Sequence, residues 1–285
     1  MEEEGSSKSF TTIVDEISEE ELTSLTNAIN QRYGIDFTNY EKKSLKRGFA
    51  RLVSKHKCSS ILELWSKIMG NREFFLGTID DLLVNLTELF RNPEIWVKIK
   101  NEILPNYRGK SRIRIWHAGC STGEEIYTMA IVLKEAGMLE KANISATDLS
   151  NQALAQAKRG VYEKLLWKKY LASYLKYFNR GQLENYFEVN EDEVIIKEEL
   201  KQNINFIKQN LVLDPAIPNC DIIFCRNVMI YFDETLKMKL LNKFYDALTD
   251  DGYFIIGYYD MLPPGSRELF ELYDAETKIY RKRKK

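Results

Sequence analysis

Glu124 and Glu125 stand between a run of small residues, Ala118-Gly119-Cys120-Ser121-Thr122-Gly123, and a helical pattern of Ile126, Tyr127, Met129, Ala130 and Leu133. Small side chains let backbone approach a ligand, and glycine reaches unusual conformations without steric cost. A pyrophosphate site asks for G-x-G-x-x-G or a G-K-[ST] ending. This run has neither, and paired carboxylates at a helix entrance repel phosphate. They suit a cationic or amino-bearing ligand, so the sulfonium and ammonium of S-adenosylmethionine fit better than NAD or ATP. On this stretch alone, an ordinary turn with solvated glutamates fits equally well. A second acid favours the ligand reading. Asp148 ends the short strand Asn143-Ile-Ser-Ala-Thr-Asp, where a carboxylate can accept hydrogen bonds from a ribose diol. It can also cap the helix that begins near Ser150.

These residues need strands and helices to hold them. Residues 112–117 read as a buried strand, with Ile113, Ile115 and Trp116 apolar. Strand, small-residue turn, helix and second strand together make the opening of a doubly wound α/β domain. Residues 160–181 read as a helical stretch rich in lysine and aromatics. Strands follow near residues 186–190, 193–197 and 204–208, an antiparallel insertion within the domain. Asn210 and Leu211 follow the last of these. Asp221-Ile-Ile-Phe-Cys225 is a buried strand that leads to Arg226-Asn227 and Tyr231. A helix over 235–248, a strand from Tyr253 and a returning strand over 275–280 complete the pattern.

Before residue 105 the pattern is helical. Ser18 and Glu21 have capping-box spacing. Thr38 or Asn39 is the expected cap of a helix running to Lys55, whose outer face carries Lys43, Arg47, Arg51 and Lys55. Such a stripe is either a solvated face or a dock for an acidic partner. Asn92 is the expected cap of a helix with Pro93 in its first turn. Arg91 therefore sits on a junction, placed to fork a carboxylate or to pair with a structural acid. The predicted domains are a disordered tail over 1–9, a helical domain over 10–104, a linker over 105–111 and an α/β domain over 112–280. The insertion lies within about 160–208, and 281–285 is a flexible basic tail.

A formal net charge of −1 carries no global basic excess for nucleic acid. No run approaches membrane-span length, and the polar start lacks a signal-peptide core. Cys58, Cys120, Cys220 and Cys225 are scattered, and only His56 and His117 offer imidazole, so neither a metal site nor a disulfide framework is expected. The simplest compartment is the cytoplasm.

Four stretches together resemble the chemotaxis-receptor glutamate methyltransferases, the CheR family: Asn85-Leu-Thr-Glu-Leu-Phe-Arg91, Ala118 through Glu125, Ala146-Thr-Asp148, and Ile223-Phe-Cys-Arg-Asn-Val-Met-Ile-Tyr-Phe-Asp233. The resemblance implies an all-α N-terminal domain and a Rossmann-like, S-adenosylmethionine-dependent methyltransferase domain carrying a small antiparallel β-subdomain. The expected product is S-adenosylhomocysteine. Asn85, Thr87 and Arg91 then resemble linker residues that close over the cofactor. Ala118 lies in its loop, Glu125 meets its amino-acid end and Asp148 its ribose. Asn210 and Leu211 flank the adenine, Arg226 and Asn227 line the methionine part, and Tyr231 lies near the transferred methyl. Arg91 or Arg226 would steer the acceptor carboxylate, with Tyr231 shaping the methyl pocket.

The same resemblance turns the basic stripe toward the acidic coiled coil of a chemoreceptor's cytoplasmic domain, bound by a monomeric enzyme. Two departures stand out. Leu89 replaces a usual aromatic residue. Gly257-Tyr258-Tyr259-Asp260 replaces Gly-His-Ser-Glu and alters one edge of the cleft mouth. The acidic Asn190-Glu-Asp-Glu193 loop lacks the glycines expected for capture of a receptor tail peptide. A methyltransferase for another carboxylate, and a non-catalytic cofactor-sensing or receptor-docking module, are the alternative readings.

Overall fold

The computed structural model describes residues 17–33, 35, 37, 40–82, 87–178 and 182–284. The predicted tail over 1–9, the caps Thr38 and Asn39, and Asn85 lie outside them. The chain forms two compact units, Met1–Asn85 with Tyr231–Leu236, and Leu86–Ile230 with Lys237–Lys285.

In the first unit, helices α1 (Glu19–Tyr33), α2 (Lys42–Lys55), α3 (Ile61–Gly70) and α4 (Arg72–Leu82) enclose Leu25, Ile29, Phe49, Leu64, Ile68 and Phe75. The capping box forms as expected: Ser18 N–H donates to Glu21 Oε2 (2.9 Å) and Glu21 N–H to Ser18 Oγ (3.1 Å). Helix α2 starts later than its sequence suggests. Glu41 caps it, accepting from the N–H groups of Lys43 (3.0 Å) and Ser44 (2.7 Å). A carboxylate serves there because it also complements the helix dipole. The later segment 231–236 belongs to this unit. Glu41 N–H donates to the Tyr231 carbonyl (2.6 Å), and Phe232 packs edge-on against Tyr40.

The second unit begins earlier than the predicted boundary at residue 104. Asn92 has a left-handed backbone (φ 56°) and makes no side-chain capping bond to helix α5 (Pro93–Lys98). The backbone continues through further helical turns to Tyr107. Trp96, Ile99, Ile103, Leu104 and Tyr107 are buried in this unit's core. The stretch 105–111 is therefore anchored rather than a linker: Tyr107 Oη donates to the carbonyls of Asp221 and Asp251, and Lys110 pairs with Asp221. Breaker residues mark a turn, but burial decides which unit owns it.

Strands β1 (Ile113–Ala118) and β2 (Ala142–Asp148) flank α6 (Glu124–Glu135), and α7 (Asn151–Arg159) follows. The insertion comprises β3 (Val161–Glu163), α8 (Trp167–Tyr177), β4 (Phe187–Val189) and β5 (Glu193–Ile196), its sheet ordered β3-β5-β4 and antiparallel. Strand β3 falls in the stretch predicted as helix, because pairing with β5 fixes its three residues. Strand β6 (Ile204–Lys208) joins the main sheet, parallel to β2, and is not part of the insertion's sheet. Then come β7 (Cys220–Cys225), α9 (Glu234–Ala247), β8 (Leu248–Ile256), β9 (Phe270–Asp274) and β10 (Ile279–Lys282).

The main sheet runs β6-β2-β1-β7-β8-β10-β9, and its first five strands are parallel. The order reverses at β1, so its carboxyl end is the topological switch point where such folds bind ligands. Arg281 and Lys282 are not a loose tail. Both lie in β10, where Arg281 pairs with Asp251 and Lys282 Nζ donates to the Leu248 carbonyl. Among the described residues, no helix is long and apolar enough to cross a membrane.

Candidate functional site

The turn after β1 is tied to the end of β2. Gly119 and Cys120 N–H both donate to the Thr147 carbonyl (2.9 Å each), and Ser121 N–H donates to Asp148 Oδ2 (2.7 Å). The tight path needs left-handed backbone at Gly119 (φ 82°), Ser121 (φ 50°) and Gly123 (φ 97°). Glycine adopts this without penalty. Space matters as much: a Cβ on Gly119 would lie 2.5 Å from Val228 Cγ2, and one on Gly123 2.9 Å from Ala157 Cβ. Asp148 is buried, and its Oδ1 accepts from Ser150 N–H (2.9 Å). It thus organises both the β1 turn and the start of α7. Each carboxylate oxygen has more than one lone pair, so a carboxylate here can accept several hydrogen bonds at once.

The paired glutamates part company. Glu124 turns inward, accepting from Tyr170 Oη (3.1 Å) and Thr122 Oγ1 (2.7 Å), and burial pushes its carboxyl above the usual range. Tyr162 Oη of the insertion also donates to the Thr122 carbonyl (2.9 Å). The expectation that both acids face a cationic ligand therefore fails for Glu124. Successive helix residues point about 100° apart, as a 3.6-residue turn requires.

Glu125 faces the other way. His117 Nδ1 lies 2.9 Å from its Oε1, and Arg226 Nη1 2.9 Å from its Oε2. A carboxylate only accepts, so His117 carries its proton on Nδ1. Burial works to raise the Glu125 carboxyl, but the His117 hydrogen bond and the Arg226 charge outweigh it and hold it below the usual range. His117 is wholly buried and stacks on Phe224 at 4.4 Å between centroids.

Arg226 Nη2 donates to the Arg91 carbonyl (3.1 Å) and to Asn92 Oδ1 (2.8 Å), with the guanidinium 5.7 Å from the Trp96 ring centroid. Both terminal nitrogens therefore serve protein acceptors. Of the two arginines expected to steer an acceptor carboxylate, Arg91 or Arg226, the second is thus engaged within the protein. Asn92, predicted as a helix cap, instead holds Arg226. The neighbouring residue Phe90 is buried with φ 54°, its N–H donating to Thr128 Oγ1 (3.0 Å).

His117 Nε2, Ser121 Oγ and Arg226 Nε are buried atoms without a hydrogen-bond partner among the described residues. Buried polar atoms rarely stay unmatched. Together with the acids Asp148 and Glu125 they fit a ligand bearing a diol at one end and an ammonium at the other. That donor set suits S-adenosylmethionine and lacks a phosphate cradle.

The description "CheR methyltransferase, SAM binding domain" matches residues 85–279, and "CheR methyltransferase, all-alpha domain" matches residues 20–83. The chain belongs to the CheR methyltransferase family. The chemotaxis protein methyltransferase of Borreliella burgdorferi is 34% identical over 264 residues, covering 86% of this chain and 89% of that protein. Its counterpart in Vibrio anguillarum is 31% identical over 266 residues, covering 90% and 94%. The enzyme is an S-adenosylmethionine-dependent methyltransferase, as the sequence led one to expect.

Within the second unit the fold brings together Arg91, Ala118, Glu125, Asp148, Arg226 and Asn227. Ala118 is the buried last residue of β1. Asn227 has φ 59°, and its N–H donates to Asp260 Oδ2 (2.6 Å). Asn210 and Leu211 lie in the turn after β6. There Asn210 Oδ1 accepts from Val212 N–H (2.9 Å), and Lys243 Nζ donates to the Leu211 carbonyl (2.7 Å). Thr87 is half-buried. Tyr231 belongs to the first unit, as do Lys43, Arg47 and Lys55, which are exposed on α2, and Arg51, which is half-buried.

Sequence reasoning missed three residues. His117 was visible as a lone polar residue in an apolar strand, whereas Asn92 was read only as a helix cap. Asp260, placed at a cleft edge, is instead fully buried and accepts from Asn227 and Gly257 N–H (2.6 and 2.8 Å). Backbone donors from its own turn and from the turn after β7 accommodate a carboxylate there. Burial raises its carboxyl above the usual range despite those bonds.

Proposed function

We propose that this enzyme methylates glutamate side chains of chemoreceptors in the cytoplasm, acting as a monomer in chemotaxis. The observation that carries the reading is the pairing of Asp148 with the His117–Glu125–Arg226 network at the switch point. It supplies acceptors for a ribose at one end and an ammonium at the other. When bound, S-adenosylmethionine supplies a methyl group on a sulfonium, which an ionised carboxylate can accept without prior deprotonation. A glutamate has a reference pKa of about 4.3, so a general base is superfluous. The chain's residues orient and exclude water, effects that supply about 7–11 kcal/mol in ideal cases.

Asp148 holds the ribose and Glu125 the amino-acid end. Arg226 positions Glu125, and Arg91 steers the acceptor, a role supported by the family resemblance. Asn85, Thr87, Asn210, Leu211 and Asn227 complete the cofactor set, and Tyr231 shapes the methyl pocket, roles supported by the family resemblance. Arg91→Ala with undiminished turnover would remove Arg91 from its part. Calorimetric titration with S-adenosylhomocysteine tests the site as a whole. The parent should bind, and Asp148→Ala should bind about tenfold more weakly or worse. A folded parent that does not bind overturns the reading.

Lys43, Arg47, Arg51 and Lys55 dock the acidic coiled coil of the receptor. Charge complementarity of this kind acts mainly on encounter and is screened by salt. In Arg47→Glu/Arg51→Glu, KM for a receptor cytoplasmic fragment should rise and its salt dependence flatten. An unchanged KM at low salt would discard the dock.

A further inference from the structure

The loop after β8 lies at the carboxyl edge of the parallel strands. Tyr258, Tyr259 and Met261 are 58, 71 and 74% exposed in succession, around an Asp260 that is fully buried. Exposed large apolar side chains are common singly but not as a contiguous group, and such groups mark interaction sites. The tyrosine rings meet edge-on at 5.2 Å. Asp260 is the only charged side chain in Gly257-Tyr-Tyr-Asp-Met-Leu262, and it is buried, its Oδ2 accepting from two backbone N–H groups.

Those bonds fix the loop to the site. Asp260 Oδ2 accepts from both Asn227 and Gly257 N–H, and a Cβ on Gly257 would lie 2.7 Å from the Asn227 nitrogen. Asn227 follows Arg226, the partner of Glu125. The aromatic loop is thus joined by short contacts to the end of the site that receives the amino-acid part of the cofactor. Strand order supplies the direction. The ribose acid lies on β2, on one side of β1, whereas β7 and β8 lie on the other. The β8 loop therefore lies on the side of β1 away from the ribose acid.

We propose that Tyr258, Tyr259 and Met261 form a substrate-selecting lip that grips the apolar flank of the helix bearing the acceptor glutamate. This rests on the glutamate-methyltransferase reading above. Neighbouring strands lie about 4.8 Å apart, close to the roughly 5.4 Å rise of one helical turn. A helix that presents its glutamate over β7 therefore lays side chains one turn away over the β8 loop. Those side chains are apolar or small, because the lip offers no charge to pair. The buried Asp260 keeps the lip from folding back into the cleft.

The test is Tyr258→Ser/Tyr259→Ser/Met261→Ser, assayed with radiolabelled S-adenosylmethionine on a chemoreceptor cytoplasmic fragment that the parent methylates. KM for the fragment should rise about tenfold or more, by the same factor at low and high salt, while S-adenosylhomocysteine affinity by calorimetry stays within about twofold. These side chains are exposed, so the variant should keep the parent's melting temperature. An unchanged KM, or a parallel loss of S-adenosylhomocysteine affinity, overturns the lip alone. A parent that methylates no receptor fragment overturns the glutamate-methyltransferase reading, and the lip with it.

Discussion

Arg226→Met should lower the stability of the folded enzyme by about 3–5 kcal/mol, because it strands Glu125 as a buried charge. The guanidinium is nearly inaccessible, with 2% of its side chain exposed against 16% for Glu125. Its loss also frees the Arg91 carbonyl and Asn92 Oδ1. Chemical denaturation measures the loss, and calorimetry with S-adenosylhomocysteine should show binding lost as well. Arg226→Met/Glu125→Leu separates the causes. Removing both charges should restore much of the stability, since apolar replacement of a buried pair is often neutral, but not cofactor binding.

Acid titration gives the same pair a signature. The Glu125 carboxyl is depressed below its ordinary value of 4.5 in the folded state. Its contribution is therefore complete above that value and disappears as pH falls through the lower folded value. Arg226→Met should weaken this acid limb, the His117 hydrogen bond keeping the rest. A variant as stable as the parent would show that the pair carries no weight.

Gly119→Ala should cost about 2–5 kcal/mol from two separable sources. A left-handed backbone penalises a side chain by about 1–2 kcal/mol, and Gly119 has φ 82°. A Cβ there also falls 2.5 Å from Val228 Cγ2, and overpacking of this kind costs about 1–3 kcal/mol. Adding Val228→Ala should relieve the second source and leave the first. Urea unfolding of the single and double variants gives the partition. A double variant no better than Gly119→Ala would place the whole cost in the backbone.

What could be read in the sequence was local. The small-residue run, the acid ending β2 and the buried strand before Arg226 declare themselves by composition and spacing, and the structure puts them at one sheet edge. What could not be read depends on distant partners. Strand β3 has three residues and is a strand only because β5 lies alongside it. Ile204-Asn-Phe-Ile-Lys is rich in strand formers, and nothing local reveals that β2 is its neighbour. Glu124 and Glu125 are adjacent and chemically identical, yet helix geometry sends one to Tyr170 and the other to Arg226. Arg281 and Lys282 looked like a solubilising tail because charge is read without the acceptors that Asp251 and the Leu248 carbonyl provide.

The insertion is bolted to the loop after β1 at two points: Tyr162 holds the Thr122 carbonyl and Tyr170 holds the Glu124 carboxyl. Both receiving groups sit between Ser121 and Glu125, the residues that organise the ligand end of β1. The β-subdomain is therefore not an interchangeable cartridge. A chimera that borrows it from a relative must carry the matching 122–124 segment along, or a graft meant to retarget the enzyme will first detune its grip on the methyl donor.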